Sequence, residues 1–219
     1  WGQHPALSYF DHPPLNAWLQ GLSGAIFGWN RLGLRFMVVL ALAGDVLVLF
    51  LLARRLAPGA VQEHFWATLV LFLATPMFVA VTAVALPDHL LVLTTLAALY
   101  CFVSFFKIRA AEDRASWRHF YLGALFLGLG ALSKYNGVFL GLGLALFIVA
   151  SPRHRPLFRY PQLYAAAAIT LLLQTPVLLW NLEQDWASFG FILGGRHAGL
   201  SATPAGGIGW LLGFVLFLS

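Results

Sequence analysis

This 219-residue chain contains several side chains that could take part in catalysis: carboxylates, histidines and one lysine. Such a mixture of proton donors, proton acceptors and metal ligands suits acid–base or metal-assisted catalysis. The single cysteine, Cys101, excludes a disulfide framework and a cysteine metal site. The candidate residues are Asp11, His12, Asp88, His89, Lys134, Glu183, Asp185 and His197.

The segment 8–18, SYFDHPPLNAW, holds the first two candidates. Its proline pair fixes two backbone angles and biases His12 toward an extended conformation. A short helix can then begin at Leu15 and lie on the membrane, with Trp18 as an interface anchor. Two interpretations stay open: Asp11 and His12 belong to a site, or Asp11 only caps this helix.

Lys134 stands between two apolar stretches. A charge there costs a few kcal/mol unless it is paired or reaches water along its own side chain. Either it extends to the membrane surface, or its ammonium holds an anionic group such as a lipid phosphate. Asp88 follows Pro87 and either caps a helix or faces an outer cavity. His89 is interpreted as a membrane-interface residue rather than a ligand.

The composition excludes a soluble domain. Hydrophobic residues make up 60% of the chain, charged residues 10%, and the mean hydropathy is +0.81, whereas soluble domains are about 45–50% apolar and about 25% charged. Disorder is excluded for the same reason. The chain starts without Met and ends within an apolar run, so we expect a fragment lacking both ends. The net charge of +5 requires no nucleic acid partner.

The continuous apolar runs predict an all-α, polytopic transmembrane helical bundle, because strands of a barrel would alternate in polarity. Residues 1–33 are expected to form an outer loop with an interfacial helix, and Asp45, inside the first span, is expected to be structural. The predicted spans are about 34–56, 65–86, 88–106, 119–134, 137–151, 161–181 and 206–219, the last one cut short.

The basic residues predict the orientation. Loops on one side hold nine of the 13 Lys and Arg residues, and the positive-inside rule places that side in the cytoplasm. The N-terminal segment, the turns 86–89 and 134–137 and the loop 182–205 then face outward, so the candidate residues share the outer face. Glu183 and Asp185 are expected to be solvated. The nine are Arg54, Arg55, Lys107, Arg109, Arg114, Arg118, Arg153, Arg155 and Arg159.

Four motifs occur in the order seen in one family: YFDHPPL at 9–15, LPD at 86–88, LSKY at 132–135 and PVLLWN at 176–181. Over almost its whole length the chain resembles the family 39 glycosyltransferases, the dolichyl-phosphate-mannose–protein mannosyltransferase-like proteins. It is most similar to their bacterial branch of aminoarabinose and galacturonic acid transferases. The resemblance implies a GT-C membrane fold and inverting transfer of a sugar from a polyprenyl-phosphate donor. It also implies an active site at the outer face of the bacterial inner membrane and a glycan, lipid A-like or protein acceptor.

The resemblance also implies roles for individual residues. Lys134 and His12 would bind the donor phosphate, and Asp88, Tyr135 and Asn181 would line the cavity. A divalent metal ion is possible, with Asp11 and His197 as ligands. The family's catalytic acidic pair is expected upstream of Trp1, so no catalytic base is assigned within this chain.

Two other classes of protein remain as alternatives. A transporter or flippase of a lipid-linked or anionic substrate would also keep ionisable residues near a membrane cavity, but such proteins often carry internal repeats, and no convincing repeat occurs here. A non-catalytic scaffold would not need the outer-face cluster. The chain has no phosphate-binding P-loop, zincin or serine hydrolase motif.

Overall fold

A computed structural model describes residues 1–75, 86–112 and 117–194 of the chain. Every regular element in these ranges is helical, which confirms the expected all-α fold. Two short 3₁₀ turns, Tyr135–Gly137 and Arg155–Arg159, separate α-helices. The α-helices are α1 (Leu15–Phe27), α2 (Arg31–Leu56), α3 (Val61–Ala74), α4 (Asp88–Glu112), α5 (Trp117–Ser133), α6 (Val138–Ala150), α7 (Pro161–Leu172), α8 (Thr175–Glu183) and α9 (Ala187–Leu193).

Helix α2 shows how local sequence sets the bounds of a spanning helix. The Asn30 side chain accepts hydrogen bonds from the backbone N–H groups of Leu32 (2.9 Å) and Gly33 (3.0 Å) and so caps the first turn. Arg54 and Arg55 stand in the last turn, where positive charge is favourable. The helix has 26 residues, which corresponds to about 39 Å at 1.5 Å per residue. It is long enough to cross a membrane.

Two helices in the described ranges, Arg31–Leu56 and Asp88–Lys107, are long and apolar enough to span a membrane. The bent pair α7 and α8 would make a third. Helices α5 and α6 match two other predicted spans but have only 17 and 13 residues. Helix α3, with 14 residues, covers the first part of the predicted span 65–86, and residues 76–85 of that span lie outside the described residues. The predicted span 206–219 lies outside the described residues, and the full count of seven stays a prediction.

The predicted span 161–181 corresponds to the pair α7 and α8, but it is not one straight helix, because the structure bends by 45° between them. Pro176 lies in the first turn of α8. A proline has no backbone N–H, and its ring clashes with the carbonyl four residues earlier, here that of Leu172. Helix α7 therefore ends at Leu172. The predicted meeting of two helices near 133–137 is confirmed.

The core of the bundle lies between α4 and α5. Phe102, Phe105 and Phe120 are buried there with edge-to-face ring contacts of 4.8–5.3 Å. A Cβ placed on Gly123 would lie 2.6 Å from the Phe102 ring. The glycine therefore allows the two helices to approach closely, as small residues do in membrane bundles.

The helices have two chemically different ends. At one end Arg55 Nη2 donates to the Ser104 carbonyl (3.1 Å), and Lys107 Nζ donates to the Arg55 carbonyl (2.6 Å). The ring of His154 contacts Phe106 at 4.8 Å, so the Arg-rich segment 153–159 lies there too. We call this the basic end. Asp88 starts α4 sixteen residues before Ser104, or about 24 Å along the helix, and lies at the opposite end.

Large apolar side chains cover the outside of the bundle. Leu71, Leu146 and Leu172 are 72%, 68% and 70% exposed. Contiguous exposed apolar surface of this kind is unfavourable in water and normal against lipid. The structure therefore fits a helical protein embedded in a membrane.

Candidate functional site

Lys134 and Asp88 form an ion pair at the end opposite the basic residues. The ammonium Nζ lies 2.5 Å from Asp88 Oδ1, and the two side chains are 22% and 25% exposed. Lys134 directly follows α5, and Asp88 begins α4. The Ser133 hydroxyl donates to the Pro87 carbonyl at 2.8 Å, which holds the two helix ends together. The Asp88 carboxylate therefore compensates the charge of the Lys134 ammonium. Lys134 does not need to extend to the membrane surface to be stable here.

The geometry of this pair leaves capacity for a further anion. A lysine ammonium has three N–H donors, and within the described ranges Asp88 is its hydrogen-bond acceptor. Asp88 also stands in the first turn of α4, where the helix dipole favours a negative charge. Because both side chains are partly exposed, Lys134 can contact a ligand without the bundle opening.

Asp11 and His12 form a second pair. His12 Nδ1 lies 3.1 Å from Asp11 Oδ2, and Asp11 Oδ1 is buried without a hydrogen-bond partner. The backbone N–H of Tyr9 donates to the His12 carbonyl at 3.3 Å and closes a turn. The residue that precedes α1 is Pro14, with no side-chain cap. The interpretation of Asp11 as the helix cap is therefore wrong.

Asn181 positions the short helix α9. Its side chain is fully buried; Nδ2 donates to the Val177 carbonyl at 2.9 Å, and Oδ1 accepts from the Ser188 N–H at 3.2 Å. The Ser188 hydroxyl in turn donates to the Tyr9 carbonyl at 2.8 Å. These contacts tie the N-terminal segment to α8 and α9. Whether Asn181 also lines a ligand cavity stays a prediction.

Helix α9 connects the two charged pairs. The Tyr135 ring, next to Lys134, contacts the Phe189 ring at 6.0 Å, and Phe10, next to Asp11, contacts Phe191 at 4.6 Å. The Tyr135 hydroxyl is buried without a hydrogen-bond partner. The two pairs thus lie on one end of the bundle and are joined through α9. The structure gives no direct contact between them in the described ranges.

Two further ionisable side chains are buried. His89 is 1% exposed, so its interpretation as a membrane-interface residue is wrong, and neither ring nitrogen has a hydrogen-bond partner. Asp45 in α2 is fully buried, with both carboxylate oxygens unpartnered. An unsatisfied buried polar group costs about 1–3 kcal/mol. Glu183 and Asp185 are exposed, as predicted.

The candidate metal ligands are only partly described. His197 lies outside the described residues. In the described part of the chain, no three His, Cys, Asp or Glu side chains lie close enough together to hold a metal ion. Of the two proposed ligands Asp11 is described, and its buried oxygen Oδ1, which has no hydrogen-bond partner, is free to bind a cation.

Sequence analysis missed the residues that assemble this end of the bundle. Ser188 and Tyr9 are 179 positions apart, and Ser133 and Pro87 are 46 apart. No periodicity or spacing connects them. The one available signal was the strongly polar character of the outer turns, which predicted a shared face but not its contacts.

Together, the apolar helical bundle and the charged pairs at one end define a multi-pass membrane protein with a polar site at the end of its helices. The family described as dolichyl-phosphate-mannose-protein mannosyltransferase matches residues 11–180. The chain belongs to this family. The match begins at Asp11 and includes Asp88 and Lys134.

Three curated proteins are similar to most of the chain. Undecaprenyl phosphate-alpha-4-amino-4-deoxy-L-arabinose arabinosyl transferases of Edwardsiella ictaluri and Pseudomonas aeruginosa are 26% and 29% identical to it. Lipid A galacturonosyltransferase RgtD of Rhizobium johnstonii is 24% identical. Each match covers 84% of this chain but only 33%, 33% and 37% of the respective relative. The chain thus spans about a third of the length of these relatives. No solved structure matches it.

Proposed function

We propose that this protein is an inverting membrane glycosyltransferase that uses a polyprenyl-phosphate-linked sugar as its donor. The family match and the three named sugar transferases support this reaction class. They favour it over a transporter or flippase of a lipid-linked substrate. The structural observation that carries the proposal is the ion pair of Lys134 and Asp88 at one end of an apolar bundle.

In this proposal Lys134 binds the donor phosphate. A lysine ammonium is a compact point charge that suits a phosphate, and the apolar surroundings strengthen the attraction relative to water. His12 lies on the segment that α9 joins to this end and provides a second phosphate contact. Asp88 keeps Lys134 in place while the two remaining N–H donors contact the phosphate oxygens.

The reaction is a single displacement. An acceptor hydroxyl oxygen attacks the anomeric carbon and forms the new glycosidic bond, while the bond between that carbon and the phosphate oxygen breaks. The polyprenyl phosphate leaves with the bonding electrons, and Lys134 offsets its charge. The hydroxyl proton passes to a carboxylate base, which we assign to no residue of this chain.

A divalent metal ion would have Asp11 and His197 as its proposed ligands. The buried, unpartnered Asp11 Oδ1 supports this role for Asp11. A bound cation would neutralise part of the phosphate charge. If it binds, Mg²⁺, Mn²⁺ or Zn²⁺ should raise the melting temperature of the wild type more than that of Asp11→Asn, independently of turnover.

The proposed site faces the outer side of the bacterial inner membrane. The excess of Lys and Arg at the basic end supports this orientation. The acceptor is a lipid A-like lipid, another glycan or a protein. The similarity to a lipid A galacturonosyltransferase of Rhizobium johnstonii supports the first of these.

The test uses the full-length protein in nanodiscs with a panel of radiolabelled polyprenyl-phosphate sugars and a membrane-lipid extract. We expect label to move from donor to acceptor, with release of polyprenyl phosphate. A panel that shows no transfer, no donor hydrolysis and no donor binding would contradict the proposal. Movement of intact donor across proteoliposomes without hydrolysis would instead support the flippase class.

A further inference from the structure

An apolar groove lies on the side of the bundle between α5, α6 and α7. Its cavity measures about 350 Å³, room for about a dozen groups of the size of water or methylene. Small side chains form part of its wall. Its two hydroxyl groups are both satisfied by backbone carbonyls: Thr170 donates to Ala124 at 2.8 Å, and Tyr164 donates to Phe158 at 2.9 Å. The groove is therefore suited to a hydrocarbon chain. Its small and central lining residues are Ala124, Gly141, Ala145, Ala166, Ala167 and Thr170.

The groove opens toward lipid and toward the basic end. Tyr164 and Leu171 border it and are 59% and 68% exposed. Phe158, at its basic end, is followed directly by Arg159. A chain in the groove therefore enters from the membrane leaflet that surrounds the basic end.

The other end of the groove is closed. A Cβ on Gly128 would lie 2.5 Å from the Leu173 side chain, and Gln174 Nε2 donates to the Gly128 carbonyl at 2.9 Å. Helices α5 and α7 thus pack tightly between the groove and the level of Lys134. This closure argues against the chain of a lipid whose phosphate sits at Lys134.

The rim of the groove is positively charged. Residues 135–182 contain no Asp or Glu, and Arg153, Arg155 and Arg159 are exposed in the segment that also carries the lining residue Phe158. Arg155 Nε donates to the Val149 carbonyl at 2.8 Å. Arg153 and Arg159 have no partner among the described residues. A phosphodiester head group beside Phe158 would meet these two guanidinium groups.

We propose that this groove binds one acyl chain of an anionic phospholipid from the leaflet at the basic end, with the lipid phosphate held by Arg153 and Arg159. The site is separate from the proposed donor site. Basic pockets between membrane helices bind anionic head groups by the same combination of charge and apolar contact. The proposal does not depend on sugar transfer.

Native mass spectrometry of the full-length protein with phosphatidylglycerol or phosphatidylcholine tests the site. We expect the wild type to retain one phosphatidylglycerol preferentially. Ala167→Phe fills the groove and should lower this retention at least tenfold. Ala168→Phe is the matched control, because Ala168 is exposed on the same helix and does not line the groove.

The charged rim is tested separately. Arg153→Gln with Arg159→Gln should reduce the preference for phosphatidylglycerol by about fivefold per arginine, while Arg31→Gln at the opposite end should not. Equal retention of the two lipids by the wild type would overturn the proposal, as would equal effects of Ala167→Phe and Ala168→Phe. Displacement of phosphatidylglycerol by equimolar polyprenyl phosphate would assign the groove to the donor chain and also overturn it.

Discussion

The charge of Lys134 is tolerated between two apolar stretches because the Asp88 carboxylate, at the end of another helix, lies 2.5 Å from its ammonium. Removing one partner of a shielded ion pair leaves the other charge uncompensated, which costs more than removing both. The ion pair of Lys134 and Asp88 stabilises the fold, and it also keeps the ammonium at the polar end of the bundle. The fold and the proposed phosphate contact therefore depend on the same two side chains.

A double-mutant cycle measures this pairing. Asp88→Asn should lower the free energy of unfolding by about 1–3 kcal/mol, since Lys134 loses its counterion, and Lys134→Met combined with Asp88→Asn should recover part of the loss. Thermal unfolding in detergent provides the measurement. Glu183→Gln, which changes an exposed carboxylate, is the control. Additive effects of the two single substitutions would mean that the pair does not interact.

Ser188 links the first residues of the chain to α9 through its hydrogen bond to the Tyr9 carbonyl. Ser188→Ala should leave that buried carbonyl unsatisfied and destabilise the N-terminal segment by about 1–3 kcal/mol. Hydrogen exchange of residues 1–14 should then speed up, whereas the half-buried Ser151→Ala should not change it. Unchanged exchange in Ser188→Ala would show that other contacts hold the segment.

At the scale of elements, the helix bounds follow from local chemistry to different degrees. The break at Ser133–Gly137 was readable, because a polar turn interrupts an apolar run. The break after Leu172 was missed, although Pro176 signals it, because the apolar run continues through both helices. The contacts between helix ends could not be predicted, since they join residues far apart in sequence, such as Asp88 and Lys134.

Close packing of α4 against α5 depends on glycine. Gly123→Val should force the Phe102 ring away, since a Cβ alone would lie 2.6 Å from it, and overpacking of this kind costs about 1–3 kcal/mol. Gly143→Val is the matched control, because no atom lies within 4 Å of a Cβ at that position. A lower melting temperature is expected for the first variant only. Equal melting temperatures would contradict the packing described for this interface.

At the scale of the whole molecule, charge and apolar surface divide the bundle into a basic end and an end that carries the candidate site. The sequence predicted this division from loop charges alone, since Lys and Arg near membrane spans bias orientation. The structure confirms that Arg55 and Lys107 contact each other's helices and that Asp88 and Lys134 meet elsewhere. Which end faces outward stays a prediction.

Cysteine labelling in intact cells tests the orientation. Cys101 is buried, so it should react little with a membrane-impermeant maleimide. Gln184→Cys, exposed after α8, should be labelled from outside, and Gly59→Cys, exposed between α2 and α3, only after permeabilisation. The reverse pattern would place the candidate site in the cytoplasm and contradict the proposed orientation.

The most direct test of the central claim is the turnover of a polyprenyl-phosphate sugar by full-length Lys134→Ala, compared with the wild type and with Lys107→Ala. Lys107 is a lysine at the basic end, so its loss removes the same charge away from the proposed site. Electrostatic contacts to a developing charge contribute about 2.7–4 kcal/mol, or about 100- to 1,000-fold in rate, so we expect Lys134→Ala to lose about 100-fold or more in turnover while Lys107→Ala keeps near-normal activity. Near-normal turnover in folded Lys134→Ala would show that this lysine does not hold the donor phosphate.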